Sequence, residues 1–416
     1  MTVSIADARA VLAANDRGGY TVPTAKLYPF QWNWDSAFVA MGFATYDLDR
    51  ALTELERLVE GQWADGMIPH IVFHAPSDTY FPGPEVWGTH HAPPTSGITQ
   101  PPVMAIALAQ IAKRGAAPER VAKLYRAALA NHRWWWKARD PEGRGIVALL
   151  HPWESGRDNA PSWEVPLSRV PETTTTVVRR RDTGHVAASM RPTDSEYHRF
   201  IHLVDTYRAA GWQPEQLWQV APFKVADVGV TAILVAAESA LLELAAEYGS
   251  AADQAEITAR MATGEAGLAS LWCPAISQYA SRDLIDGALL VAPCSAGFLP
   301  LLTGAPGSAE VASLVALLRR WQAEGQLLVP SAPRDAPGFD SARYWRGPVW
   351  AVVNWLIAHG LERHGEHGLA KGVCTDTLTA IQTAGFCEYF DPLTRAGLGG
   401  DGFSWTAAIY LLLSEG

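Results

Sequence analysis

Cysteine is scarce: Cys273, Cys294, Cys374 and Cys387 are the only four in 416 residues, and no two form a CxxC pair. Neither a disulfide framework nor a zinc-finger spacing is therefore expected, and the thiols read as reduced, small apolar fillers in a cytoplasmic protein. Long apolar runs are missing too. No stretch reaches the roughly eighteen consecutive apolar residues that suggest a membrane span. The segment Met1 to Tyr20 carries Asp7, Arg9, Asp16 and Arg17 where a secretory leader needs an apolar run. Basic charge is also in short supply: 33 Lys and Arg against 43 Asp and Glu leave a net charge of −10. Nucleic acid and anionic membranes are thereby disfavoured as partners, and a small anion would have to be met by locally placed Arg. Internal repeats and low-complexity linkers are absent as well, which makes residues 1–416 a single domain.

Aromatic residues are plentiful, with 17 Trp and 12 Tyr. They supply flat apolar faces with a polar edge, the surfaces on which sugar rings stack, and the remainder fill a large core. Apolar residues recur at three and four spacing near 48–61, 101–114, 117–138, 193–210, 225–248, 252–271, 308–324, 347–361, 366–384 and 403–414. Gly115, Gly211, Gly249, Gly325 and Gly365 stand at or near the ends of these segments, where a left-handed cap residue is wanted. Helices without alternating strands predict an all-α architecture, a toroid of antiparallel helix pairs whose long loops (62–100, 151–192 and 326–346) gather at one end. The one β signal is the β-branched run 171–188 with its Asp182-Thr183-Gly184 turn, read as a hairpin within a small cap insert at 164–192.

The loops carry the chemistry. Residues 151–163 set Glu154, Asp158, Arg157 and Asn159 between Trp153 and Trp163, with Gly156 and two prolines that forbid regular structure. A carboxyl group walled by indoles should hold its proton unusually well, which suits a general acid. A second cluster, Tyr28 to Ser36, alternates hydrogen-bonding Gln31 and Asp35 with Trp32 and Trp34, the pattern wanted around a sugar ring. Residues 62–91 form a long aromatic loop containing Tyr80, and the adjacent His90 and His91 lack the spacing of a metal pair. Residues 341–350 contribute Tyr344, Trp345 and Trp350, and residues 386–392 contribute Glu388 among aromatics. Asp158 and Glu388, on distant loops, fit the two carboxyl groups of glycosidic cleavage, with Glu154, Asp35 and Asp391 as rivals. Two other classes stay open: an epimerase using His70, His90, His151 or His202, and a sugar-binding protein without turnover.

Trp32-Asn33-Trp34-Asp35, Glu154-Ser155-Gly156-Arg157-Asp158-Asn159, Tyr344-Trp345-Arg346-Gly347-Pro348-Val349-Trp350 and Glu388-Tyr389-Phe390-Asp391-Pro392 together resemble glycoside hydrolase family 63 and its trehalase relatives. Their order and the chain length are similar, more narrowly, to the bacterial mannosylglycerate and glucosylglycerate hydrolases. The resemblance implies an (α/α)6 barrel and an inverting mechanism with no metal and no cofactor. It makes Asp158 the general acid and Glu388 the base that activates water, with a carboxyl separation of roughly 6.5–9.5 Å. It places Trp34, Asp35, Gln100 and Trp345 around the sugar, and Tyr80, Arg191, Tyr197 and Tyr344 around the glycerate carboxylate. Tyr28, Gln31, Trp32, Trp153, Gly156, Arg157 and Trp350 complete the expected substrate site. Gly83, Gly88, Pro82 and Pro84 bracket a loop, 76–92, that with 185–197 could close over the ligand. Glucose and mannose differ by one hydroxyl, which no spacing encodes, and the pattern assigns no oligomeric state.

Overall fold

The computed structural model describes residues 3–323 and 325–415, so that Glu324, the end of the helix expected at 308–324, lies outside the described residues. Among them are twelve longer helices: α1 (Ile5–Asn15), α2 (Asn33–Phe43), α3 (Leu48–Val59), α4 (Met104–Lys113), α5 (Pro118–Arg139), α6 (Asp194–Ala209), α7 (Val228–Tyr248), α8 (Ala251–Ala269), α9 (Ser308–Ala323), α10 (Ala351–Arg363), α11 (His367–Ala384) and α12 (Ser404–Ser414). Local chemistry starts them where it should. Ser4 with Asp7, Thr193 with Glu196 and Ser250 with Asp253 close reciprocal capping boxes, and Asp47 and Asp227 cap α3 and α7. Gly115, Gly211, Gly325 and Gly365 take the expected left-handed backbone, with φ of 87°, 64°, 75° and 77°. Gly249 does not: its φ is −106° and ψ 172° because α8 follows at once, leaving only an extended link.

Helix α2 was legible only as a polar cluster ahead of a helix. All eleven of its residues are buried, so no amphipathic stripe marks it. It packs on α4 and α12; α4 meets α7, α7 meets the 3-10 segment Ser295–Leu302, that segment meets α10, and α10 returns to α12. The contacts thus run in a closed cycle, with α3, α5, α8, α11 and α1 packed on α2, α4, α7, α10 and α12 respectively. Pro300 has no N–H to give, in keeping with the 3-10 form of the fourth member, Ser295–Leu302. Helix α7 is long and apolar enough to cross a membrane, yet 72% of its apolar window is buried in the fold. Its Glu238 is fully buried and takes the Trp136 indole N–H at 2.8 Å and Arg260 Nε at 2.8 Å, the signature of a core helix.

Strand is confined, among the described residues, to two-residue antiparallel pieces at the feet of the loops. Gln31–Trp32 pairs with Ile71–Val72, Val225–Ala226 lies between Ala148–Leu149 and Arg282–Asp283, and Tyr389–Phe390 pairs with Gly397–Leu398. The hairpin expected at 171–188 is not formed. That segment has only a 3-10 turn at Asp182–Gly184, followed by another at Ala188–Met190. Its backbone is satisfied differently: the N–H groups of Thr175 and Thr176 donate to the Asp205 carboxylate on α6 at 2.6 and 3.0 Å, and the Thr176 hydroxyl does so at 2.6 Å. A side chain has taken the place of a partner strand.

Candidate active site

The loops line an open-mouthed cavity, with about 700 Å³ of empty space counted out through its mouth. Tyr28, Trp32, Trp34, Asp35, Tyr80, Gln100, Trp153, Gly156, Asp158, Arg191, Tyr197, Tyr344 and Glu388, all singled out in the sequence, line it. Helix α2 and the strand before it deliver Trp32, Trp34 and Asp35, and the Trp34 backbone N–H is 3.4 Å from the side-chain Oε1 of Gln100. Gly156, with φ of 68°, lets the Asp158 loop lie on Trp34, since a Cβ there would sit 2.6 Å from the indole. Glu388 stands immediately before the strand Tyr389–Phe390, whose bridge to Val349 fastens the two aromatic loops together.

Four expected contacts lie elsewhere. Gln31 is buried behind the wall, donating to Glu54 Oε1 at 3.0 Å while its oxygen pairs with His74 at 2.7 Å. Arg157 forms a buried ion pair with Asp227 at 2.6 Å and lies over the Trp163 ring, because an exposed-looking Arg in a polar loop can be claimed by a capping carboxylate. Trp345 and Trp350 stack on each other at 3.7 Å and 2°, a double layer behind Trp34 and Tyr344 that is outside the cavity lining. Conversely, Pro23, His70, Phe81, Asp182, Phe403 and Trp405 line the cavity without having been expected there. Asp182 was masked by reading its neighbourhood as a hairpin turn; its proximity to Arg180 and Arg191 in sequence was the available signal.

The charges are arranged unevenly. Burial drives the Asp158 carboxyl up to about 7, opposed by Arg191 and reinforced by negative charge on Glu388. Burial also raises Glu388, which is 1% exposed, but Arg191, the Gly400 N–H and the Tyr28 hydroxyl all favour its ionised form. Asp35, at the first turn of α2, is pushed well above the carboxylate range by burial. Arg191 is 5% exposed: Nε is 3.2 Å from Asp182, Nη1 is 3.7 Å from Glu388 Oε1 without a hydrogen bond, and the guanidinium lies 4.2 Å from the Tyr344 ring centre. Tyr197 gives its hydroxyl to the Phe81 carbonyl at 2.7 Å, so it joins the Arg191 segment to the Tyr80 loop.

Two rival carboxylates are spent on structure. Asp391 accepts the backbone N–H groups of Leu393 and Thr394 and the Ser341 hydroxyl. Glu154 is fully buried, paired with Arg139 at 2.6 Å and accepting the Leu150 N–H at 2.8 Å. Glu154→Ala is expected to cost about 3–5 kcal/mol by stranding the Arg139 charge. A denaturant midpoint unchanged from wild type would contradict this. The histidines offer no paired acid and base: burial keeps His70 well below its usual range and His151 near 3, His90 is exposed, and His202 is bonded to the Thr173 carbonyl.

Against known proteins, residues 28–406 match the family model of the mannosylglycerate hydrolase MGH1-like glycoside hydrolase domain. The mannosylglycerate hydrolase MGH1 of Selaginella moellendorffii is 45% identical over 409 residues, covering 97% of this chain and 84% of that protein. The glucosylglycerate hydrolase of Mycolicibacterium hassiacum is 35% identical over 424 residues, covering 96% and 95%. The crystal structure of the GH63 mannosylglycerate hydrolase from Thermus thermophilus in complex with Tris and D-glycerate superposes with a TM-score of 0.94 at 44% identity, covering 98% of this chain and 99% of that one. With a family model spanning most of its length and relatives this similar over nearly all of theirs, the chain belongs to the mannosylglycerate hydrolase MGH1-like glycoside hydrolases.

Proposed function

We propose that this protein is an inverting α-glycoside hydrolase that cleaves mannosylglycerate or glucosylglycerate to the hexose and glycerate, working at one end of an (α/α)6 barrel. The barrel reading is supported by the closed cycle of inner helices, each with an outer helix packed on it, where the 3-10 segment stands in for one inner helix. The observation that carries the function is Arg191, a buried guanidinium with an unpaired Nη1 in the same cavity as Asp158 and Glu388. Asp182 holds Nε at 3.2 Å, and Nη1, 3.7 Å from Glu388 with no hydrogen bond, is left to meet a further anion, for which a glycerate carboxylate has the right charge and shape. The names of the relatives agree with this choice of aglycone.

In the reaction, Asp158 keeps its proton near neutrality and passes it to the glycosidic oxygen as the bond to the anomeric carbon breaks. Glu388, whose charge helps to hold the proton on Asp158, takes a proton from the water that attacks the opposite face. Trp32, Trp34 and Trp153 give the sugar flat walls, and Asp35 and Gln100 offer hydrogen bonds to its hydroxyls. Tyr80, Arg191, Tyr197 and Tyr344 lie on the aglycone side, where the 164–192 insert acts as a cap. The free Cys273, Cys294, Cys374 and Cys387 suit the reducing cytoplasm. Proton NMR of the released sugar, followed from the first minute with mannosylglycerate, glucosylglycerate, glucosylglycerol and trehalose, tests the reading. The anomer opposite to that of the substrate is expected, from the glycerate glycosides readily and from the neutral glucosides far more slowly. Release with retained configuration would reject inversion, and cleavage only of the neutral glucosides would remove glycerate from the account.

A further inference from the structure

Two hydroxyl groups stand in line behind Glu388. Tyr28 Oη is 3.0 Å from Glu388 Oε1 and 3.2 Å from Tyr344 Oη. A carboxylate can only accept, so Tyr28 gives its single proton to Glu388 and its oxygen receives the proton of Tyr344. The other carboxylate oxygen takes the Gly400 N–H at 3.0 Å. Lone pairs remain on both oxygens for a proton from water. Once Glu388 has that proton, however, it must donate, and Gly400 N–H and Arg191 offer it no acceptor. Tyr28 does: if its own proton turns towards Tyr344 Oη, its oxygen is free to accept from Glu388.

The relay is held firmly enough for such a role. Tyr344 is 6% exposed and sits at a φ of 39°, a conformation rare for an aromatic residue. Its ring is boxed by Trp345, Trp350 and Tyr389 at 6.2, 5.3 and 5.7 Å, with the Arg191 guanidinium over it. The Tyr28 ring is fixed edge-on against Trp32 and Phe403. We infer that Tyr28 and Tyr344 are positioning residues for the base, a pair of hydroxyls whose donor direction reverses when Glu388 changes its protonation state. The carboxyl group then stays hydrogen-bonded before and after it takes a proton from water. No net proton leaves Glu388 through the pair; the hydroxyls only turn, and the Tyr344 proton becomes available to an acceptor in the cavity. The inference rests on the reading of Glu388 as the base.

The other charged or titratable groups around Glu388 are Arg191 and Asp182 from the insert, Asp35 from α2, Asp158 from the 151–163 loop, and its chain neighbours Cys387 and Tyr389. None of these side chains is hydrogen-bonded to Oε1: the Tyr389 hydroxyl donates to the Met190 carbonyl, and Arg191 Nη1 stands 3.7 Å away.

An infrared titration of the Glu388 carboxyl, its band identified by its loss in Glu388→Gln, tests this beside the pH profile of kcat. On the relay, Tyr28→Phe removes a donor from the ionised carboxylate and also the acceptor of the protonated one, so the two losses oppose each other in the titration and show in the band of the protonated carboxyl. The C=O band of protonated Glu388 is expected to rise in frequency, while its titration and the acid limb of kcat move by well under the roughly one pH unit that loss of a donor alone would give. Tyr344→Phe leaves Tyr28 its donation to the carboxylate but takes away the oxygen to which its proton turns, so there the titration should move down. A protonated-carboxyl band that stays in place in Tyr28→Phe, or a Glu388 titration that rises in both variants, would overturn the relay and leave Tyr28 a plain donor to the base. If the wild type turned over no glycoside, the hydrolase reading would fall, while the infrared titration would still decide the relay.

Discussion

Asp158→Asn is expected to lower kcat for a glycerate glycoside by about 10²- to 10⁴-fold, the range over which positioned proton transfer acts. Asparagine keeps the size of the side chain but has no acidic proton for the departing oxygen, so the alkoxide leaves unaided. The wild type should lose activity on the alkaline side as pH rises through about 7, where Asp158 surrenders its proton. This limb should vanish in the variant. On the acid side, activity falls as Glu388 becomes protonated, and that limb should survive Asp158→Asn. A glycosyl fluoride separates the two carboxyl groups, because fluoride departs without a proton. With it Asp158→Asn should recover much of its rate while Glu388→Gln, which strikes the attacking water, should not. Equal losses on the fluoride would assign Asp158 some other duty. Ligand binding should persist in both variants, since neither removes Arg191 or the tryptophan walls.

Much of this arrangement was legible in the sequence. All ten periodic segments became helices, because helix α3 and its like show a clear apolar stripe and a recognisable cap. What escaped had a physical reason. Helix α2 is buried on every side and shows no period, and the 171–188 run has strand-like composition but finds its hydrogen-bond partner in the Asp205 carboxylate. Side chains that are informative by type alone do come together: Asp158, Glu388 and Arg191 line one cavity with Trp153, Tyr197 and Tyr344. Partners supplied from far along the chain were not readable. Nothing around Arg157 signals that Asp227, seventy residues on, will claim its guanidinium at 2.6 Å. Nothing in Ser341-Ala342-Arg343-Tyr344-Trp345 says that Trp345 will turn away to stack on Trp350 while Tyr344 lines the cavity. Asp182 was lost for the same reason, since its role depends on the two arginines that the folded insert places around it.

With that placement, Arg191 is the residue on which aglycone selection is expected to turn. Arg180 and Arg191 both grip Asp182, at 2.7 and 3.2 Å, and Asp182 thereby orients the Arg191 fork so that Nη1 stays unpaired beside the cavity. Arg191→Gln removes a fully desolvated charge from its partners, a change that typically costs about 2–5 kcal/mol, or roughly 30- to several-thousandfold in affinity. KM for a glycerate glycoside should rise within that range, measured at a pH above the acid limb. The last condition matters, because Arg191 also favours the ionised form of Glu388, and its loss will move that limb upwards. Glucosylglycerol, which presents a hydroxymethyl group in place of the carboxylate, should be turned over by Arg191→Gln about as well as by the wild type at that pH. Lysine should not restore selectivity: a point charge cannot hold Asp182 with one donor, offer a flat fork to a carboxylate and stack on the Tyr344 ring at the same time. If Arg191→Gln lost the neutral and the anionic substrate equally, the guanidinium would be serving Glu388 rather than the aglycone, and selection for glycerate would have to be sought on the Tyr80 and Tyr197 side of the cavity.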